Sequence, residues 1–199
     1  MIDRLIEFVA THGALAIAGL MALENIFPPI PSEMIMPLAG YTAAKGELSL
    51  FEVLAAGTAG SVLGALPWYY AGKKLGKERL KKFADRHGRW ITLSSDDIEH
   101  AVDKFNKHGR KTVLFGRMIP AIRTFISIPA GLVEMRLAPF LAYSAVGSLL
   151  WNSLLTAAGY LLEDKYAKVG AYIDPVAKMV LASLLLTYIY RVYTFRPAR

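Results

Sequence analysis

The sequence predicts an all-α integral membrane protein built as an inverted repeat, in which each half has a re-entrant helical hairpin followed by a transmembrane helix. Three observations support this: long charge-free apolar runs, apolar segments interrupted by proline, and a strongly basic segment between the halves. An amphipathic cytoplasmic helix is expected in the basic segment. We expect one membrane domain over 1–199, with repeat 1 at about 15–72, a basic cytoplasmic loop at 73–111, repeat 2 at about 112–162, and a C-terminal transmembrane helix at about 175–192.

Two apolar runs are long enough to cross a bilayer as helices. Segment 53–72 has no charged residue over 20 positions, and segment 137–162 has none over 26. Segment 175–192 adds a third span, with Lys178 near the headgroups. The N-terminus lacks a basic region followed by a short apolar core and a cleavage site, so we expect no removable signal peptide.

The net charge of +7 is concentrated in the segment 73–111, which holds 12 of the 23 lysines and arginines and six acidic residues. Positive loops tend to stay on the cytoplasmic side, so we place this segment and the C-terminus inside. Nucleic-acid binding is the rival explanation, but no nucleic-acid motif accompanies the segment and membrane spans flank it. The stretch Ser94-Ser95-Asp96-Asp97 offers N-capping side chains to the amphipathic helix, which we expect to end at Gly109.

Two further apolar segments, 26–44 and 113–135, are unsuited to continuous spanning helices because prolines remove backbone donors and break the helix. Lipid cannot supply the missing hydrogen bonds, so such backbone must be buried in protein or line a wet cavity. We therefore predict two re-entrant hairpins. The residues expected to shape them are Pro28, Pro29, Pro31 and Gly40 in the first, and Gly116, Pro120, Pro129 and Gly131 in the second.

The two hairpins also match as an internal repeat. A shift of 91 positions places Pro29 on Pro120 and Gly40 on Gly131, and the helices that follow match at a shift of 87. Because the intervening loop stays inside, the two copies should have opposite orientations, a plan found in transporters whose site lies near the midplane.

Four charged residues flank the hairpin prolines: Glu24 and Glu33 lie on either side of the first group, and Arg117 and Arg123 lie on either side of Pro120. An arginine at membrane depth costs at least ~2.5 kcal/mol, so it normally faces a partner or water. In one interpretation each arginine neutralises one carboxylate and locks the hairpins together. In the other, the arginines bind a phosphate or other anion while the carboxylates hold or exchange protons. The two interpretations are compatible.

The stretches ENIFPPIPSE, with Gly40 beyond it, and GRMIPAIRTFISIPAG resemble the paired signatures of the DedA family, bacterial relatives of the VTT-domain lipid scramblases. The likeness covers roughly 15–162. It implies two facing re-entrant hairpins in the bacterial cytoplasmic membrane, with the family's essential acidic positions at Glu24 and Glu33 and its essential arginines at Arg117 and Arg123. Some members have aspartate where this chain has Glu33.

The resemblance further implies transbilayer movement of a phosphorylated lipid, above all undecaprenyl phosphate recycled for cell-envelope synthesis, with protons as a partner. Two alternatives remain open: translocation of phosphatidylethanolamine or general phospholipids, and proton-coupled antiport of small cations or drugs. A lipid phosphatase would need a nucleophile or metal, and no histidine lies near the arginine motif. We therefore expect no enzymatic activity, metal, cofactor or nucleic-acid partner, and the sequence leaves the oligomeric state open.

Overall fold

The regular secondary structure is helical throughout the described part of the computed structural model, which confirms the all-α class. The described residues are 2–27, 32–91, 94–120 and 122–161, with Leu186, Tyr190 and 192–194. The helices are α1 (Ile2–Ile26), α2 (Ser32–Ala44), α3 (Leu50–Ile91), α4 (Ser95–Arg117), α5 (Ser127–Leu132) and α6 (Leu137–Leu161). The predicted turn residues Pro28, Pro29 and Pro31 lie outside the described residues, as does most of the predicted C-terminal helix at 175–192.

Two helical segments are long and apolar enough to cross a membrane, and both were predicted from their charge-free runs. They are Leu50–Ala84, within α3, and Leu137–Leu161, which is α6. A proline at Pro67 lies inside α3 without ending it, and Pro37 lies inside α2. Proline thus does not by itself mark the helix ends in this chain.

The basic segment 73–111, in which one amphipathic helix was predicted, is helical over most of its described length. Helix α3 continues through it to Ile91, with a break at Gly76, whose φ of 69° is left-handed. Helix α4 begins as predicted, because Ser94 forms a reciprocal capping box with Asp97. The helix predicted to end at Gly109 breaks one residue earlier, at His108, which has non-helical φ −135° and ψ 20°, and a second helical segment of α4 continues from there to Arg117.

The second half of α3 is joined to α4 by a charged contact. Lys81 and Lys77 both form ion pairs with Glu99, the Lys77 pair at 3.7 Å. The hydrogen bond and positive charge of Lys81, with a further contribution from Lys77, hold the pKa of Glu99 below its usual range.

Helices α2 and α6 pack so closely that two glycines lie against backbone. A Cβ atom at Gly40 of α2 would overlap the carbonyl oxygen of Thr156 in α6, and one at Gly159 of α6 would overlap that of Pro37 in α2. Small residues are what allow helix backbones to approach in this way. Gly40 therefore lies inside a helix, where it permits packing.

Helices α3 and α5 make the corresponding contact. A Cβ at Gly131 of α5 would overlap the carbonyl oxygen of Tyr69 in α3, and one at Gly72 of α3 would overlap that of Ile128 in α5. Tyr69 is buried, and its hydroxyl donates to the backbone carbonyl that follows α5, at Met135. This tyrosine is thus part of the packed interior.

Candidate functional site

Three of the four predicted site residues lie on parts of the fold that meet inside the molecule. Glu24 is in the last turn of α1, Arg117 is the last residue of α4, and Arg123 lies in the turn between α4 and α5. These three are buried, with 5%, 2% and 5% of their surfaces exposed. Glu33, in the first turn of α2, is half-buried.

Arg123 and Glu24 form a buried ion pair between the α4–α5 turn and α1. The turn holds Arg123 in place through its backbone: Arg123 N–H donates to the carbonyl of Ile119 at 3.0 Å. Each charged side chain is 6% exposed, so water contributes little to either. The sequence-based expectation that an arginine neutralises a carboxylate between the two halves therefore agrees with this contact.

Arg117 has a different environment, because its hydrogen-bond partners are neutral. Its Nη1 donates to Oδ1 of Asn25 at 3.1 Å, and its Nη2 donates to Oγ of Ser127 at 2.8 Å. Its Nε is buried and has no hydrogen-bond partner among the described residues. The guanidinium carbon lies 6.0 Å from the ring centre of Phe140, a weak cation–π contact. Within the described chain, the Arg117 cation thus has no carboxylate in contact.

Asn25 connects the two arginines, and the sequence analysis missed it. Its amide Nδ2 donates to Oε2 of Glu24 at 3.0 Å and to the carbonyl of Met21 at 3.1 Å, while its Oδ1 accepts from Arg117. Trp68 of α3 donates its indole N–H to the backbone carbonyl of Asn25 at 2.8 Å. The signal was present in the sequence, since Asn25 is the polar neighbour of Glu24 before the proline run.

The remaining predicted residues surround this cluster at different depths. Among the described residues Glu33 makes no ion pair, although it is close enough for its carboxylate to repel that of Glu24. Gly116 lies in the last turn of α4, where a Cβ would meet the side chain of Ile126 at 2.7 Å. Pro120 is exposed in the α4–α5 turn, and Pro129 is half-buried in α5.

A stripe of buried polar side chains on α6 was not recognised as a whole from the sequence, where only Asn152 stood out as a cavity-lining or helix-packing residue. Its members recur at every fourth position, which places them on one helical face: Ser144, Ser148, Asn152 and Thr156. Asn152 is fully buried, and neither atom of its amide has a hydrogen-bond partner among the described residues. Gly147, on the same side of α6, lies against the Cβ of Arg117. The polar stripe therefore begins beside the arginine cluster, and spacing of four in a charge-free helix was the signal for it.

Comparison with known families places this site in context. The profile of the VTT domain matches residues 30–161. The chain belongs to the VTT-domain (DedA) family. It is a membrane protein, as its two apolar spans also indicate. The VTT match contains Glu33, Arg117 and Arg123, but it begins after Glu24, which the sequence had already indicated, and after Asn25, which only the folded chain adds to the cluster.

Individual relatives cover nearly the whole chain. An "alkaline phosphatase-like protein" of Lactococcus lactis is 38% identical over 200 residues, covering 100% of this chain and 94% of the relative. "Undecaprenyl phosphate transporter A" of Staphylococcus aureus is 35% identical over 184 residues, covering 92% of this chain and 91% of the relative. The protein of the same name from Bacillus subtilis is 25% identical over 195 residues, covering 96% and 94%. No solved structure matches the chain significantly.

Proposed function

We propose that this VTT-domain protein moves a phosphorylated lipid across the membrane, most specifically undecaprenyl phosphate returned for cell-envelope synthesis. Arg117 and Arg123 bind the lipid phosphate, and Glu24 and Glu33 hold the arginine geometry and exchange protons. The relatives named for undecaprenyl phosphate transport support the choice of lipid. The protein acts as a transporter with no catalytic step, metal or cofactor.

One observation carries this proposal: Arg117 is a buried cation whose contacts are neutral groups. A buried charge without a counter-ion is costly unless something else compensates it. A phosphate oxygen accepts hydrogen bonds from a guanidinium bidentately, so it supplies what Arg117 lacks. Arg123, held by Glu24, lies in the turn that follows and is able to exchange its carboxylate for the same phosphate. The apolar tail then stays in lipid while the headgroup passes.

The proposed architecture is a single membrane domain with two inverted repeats, each a re-entrant hairpin followed by a span. The reciprocal packing supports it, because α2 lies against α6 while α5 lies against α3. In sequence, Gly40 corresponds to Gly131 and Gly72 to Gly159, the four glycines at these two contacts. The segments 15–72 and 112–162 are the proposed repeats, and 175–192 the proposed C-terminal span.

The proposed orientation follows from charge. The basic segment 73–111 and the C-terminus lie on the cytoplasmic side of the bacterial inner membrane, as the positive-inside tendency requires. The two hairpins then enter the membrane from opposite faces, and the arginine cluster lies between them. The bound partners are anionic lipid and protons.

A reconstituted transbilayer assay tests the function. Purified protein in liposomes is given undecaprenyl phosphate or phosphatidylethanolamine, with and without a pH gradient, and both lipid movement and phosphate release are measured. We expect undecaprenyl phosphate to move faster than phosphatidylethanolamine. Arg117→Gln should lower that rate by about 100-fold, the effect of removing a main charge contact to the transported group.

The matched control is Arg79→Gln, which removes an exposed arginine from α3 and should leave the rate unchanged. Equal rates for Arg117→Gln and the parent would overturn the assignment of the phosphate site. Faster movement of phosphatidylethanolamine would indicate a general phospholipid translocase. Ion flux without any lipid movement would favour the proton-coupled antiporter, and release of inorganic phosphate would indicate the activity that the Lactococcus lactis relative's name suggests.

A further inference from the structure

A cavity of about 550 Å³ lies where the break in α4 faces the start of α6. Four cationic side chains line it: Lys107, Arg110, Lys111 and Arg136. All four are exposed, and no aspartate or glutamate is among the described lining residues. In the described chain none of the four makes an ion pair. The cavity is therefore a concentrated positive site without an internal counter-ion.

The break in α4 brings these cations together. Lys107 lies before His108 and Arg110 and Lys111 lie after it, yet all three line the same cavity, where like charges repel. The bend at His108 interrupts α4 at this point, and a loop carrying Arg136 closes the other side. Such an arrangement is unfavourable with the cavity empty of anions, and a bound anion would remove the repulsion.

The cavity also has an apolar floor. Phe105, Val133 and Met135 line it, and they belong to the hydrophobic cluster that contains Phe140. A small inorganic anion has no apolar atoms to bury on such a surface, whereas a lipid has apolar atoms close to its phosphate. The floor therefore favours a ligand with a phosphate at one end and hydrocarbon at the other.

The position along the chain agrees with a membrane boundary. Arg136 immediately precedes Leu137, the first residue of an apolar span, so it lies at the level where headgroups begin. Basic pockets beside membrane helices are known to bind phosphate-bearing headgroups. The cavity shares no lining residue with the cluster around Arg117, although Phe140 packs between them.

We propose that this cavity is a second phosphate site, which binds the headgroup of an anionic lipid at the membrane surface. The cations contact the phosphate, and the upper part of the acyl chain lies on the apolar floor. The site is separate from the buried arginine cluster and does not depend on any lipid being transported. Its chemistry is shared by soluble phosphate esters, which the experiment distinguishes.

The test uses the absence of cysteine from the chain. A cysteine introduced by Asn106→Cys, at an exposed lining position, reports locally through its rate of modification by a neutral maleimide. The full-length protein is placed in nanodiscs of phosphatidylcholine, with or without phosphatidic acid. Asp103→Cys, exposed on the same helix outside the lining, is the matched control. We expect phosphatidic acid to slow modification at position 106 and not at position 103.

The second part of the experiment removes cations from the cavity. In the Asn106→Cys protein, Lys111→Gln with Arg136→Gln should raise the phosphatidic acid content needed for protection by about tenfold or more, since each cation contributes about fivefold. The control variant, Lys74→Gln with Arg86→Gln, removes one exposed lysine and one exposed arginine elsewhere. It should change the phosphatidic acid content needed for protection by less than about twofold.

Each outcome decides the proposal. Protection by phosphatidic acid at position 106 alone, lost with the cavity cations, supports it. No protection, equal protection at both positions, or equal losses in both charge variants would overturn it in favour of diffuse surface charge. Soluble glycerol phosphate is tested separately, in nanodiscs of phosphatidylcholine alone. If it protects position 106 there, and phosphatidic acid protects the same position in the mixed nanodiscs, the results support a phosphate site. Protection by glycerol phosphate without protection by phosphatidic acid would overturn the lipid assignment. The readout measures no transport, so the proposed transport function stands or fails separately.

Discussion

The buried Arg123–Glu24 pair makes a quantitative prediction about stability. The perturbation is a double-mutant cycle of Glu24→Gln, Arg123→Gln and the two combined. Glu24→Gln leaves the Arg123 cation in a site where it was 6% exposed, which costs about 3 kcal/mol when one partner of a buried pair is removed. Arg123→Gln should cost less, about 2 kcal/mol, because Glu24 keeps its hydrogen bond from Asn25 at 3.0 Å.

The combined variant should be less destabilised than the sum of the two single variants. With both charges gone, two amides of similar size occupy the site and no charge remains unpaired. We therefore expect a total loss of about 3 kcal/mol, which corresponds to a coupling energy of about 2 kcal/mol. The fold should survive, but lipid transport should be lost, because the phosphate site has lost one of its two cations.

The measurement is reversible unfolding of the purified protein by sodium dodecyl sulfate in mixed micelles, followed by its helical signal. The control cycle uses the exposed pair of Lys77 and Glu99, whose side chains are 37% and 49% exposed and whose coupling should be below about 1 kcal/mol. A coupling energy below about 0.5 kcal/mol for Glu24 and Arg123 would refute the reasoning, because the two residues would then behave as independent sites.

Three further predictions follow from single residues. Gly40→Ala should destabilise the protein by about 3 kcal/mol because the added methyl group overlaps backbone. The control, Gly19→Ala, places its methyl group in open space and should be neutral or stabilise by about 0.5 kcal/mol. Equal changes in the free energy of unfolding for the two variants would contradict this packing. Lys81 lowers the pKa of Glu99, so their contact stabilises the fold at pH values above the unfolded pKa of about 4.3. This stabilisation is lost as the pH falls through the folded pKa of Glu99. The parent protein should therefore lose more stability than Glu99→Gln between pH 7 and pH 3. Identical pH profiles would show that the pair is not formed. Asn152→Ala removes an amide that has no hydrogen-bond partner in the described part of the chain, so it should change the free energy of unfolding by less than about 1 kcal/mol. A loss above about 2 kcal/mol would show that the amide is hydrogen-bonded.

The spans were predictable from the sequence because each depends on local composition. A charge-free apolar run longer than the bilayer thickness has few alternatives, so α6 and the first part of α3 were located within a few residues. The capping box at Ser94 is equally local. The break in α4 is also local, at His108 beside the predicted Gly109. That a second helical segment follows at once, to Arg117, depends on tertiary packing, since Val113 is fully buried there.

The sequence by itself also determined that Glu24, Arg117 and Arg123 need partners, because charge in an apolar segment is costly wherever the chain folds. Which partner each side chain has depends on the tertiary structure. Residues 92 positions apart meet when α1 and α4 end at the same depth, and Asn25 rather than a carboxylate then contacts Arg117. The same packing leaves Arg117 with no contacting carboxylate among the described residues and sets the polar face of α6 beside it. These are consequences of helix placement, which composition and spacing do not specify.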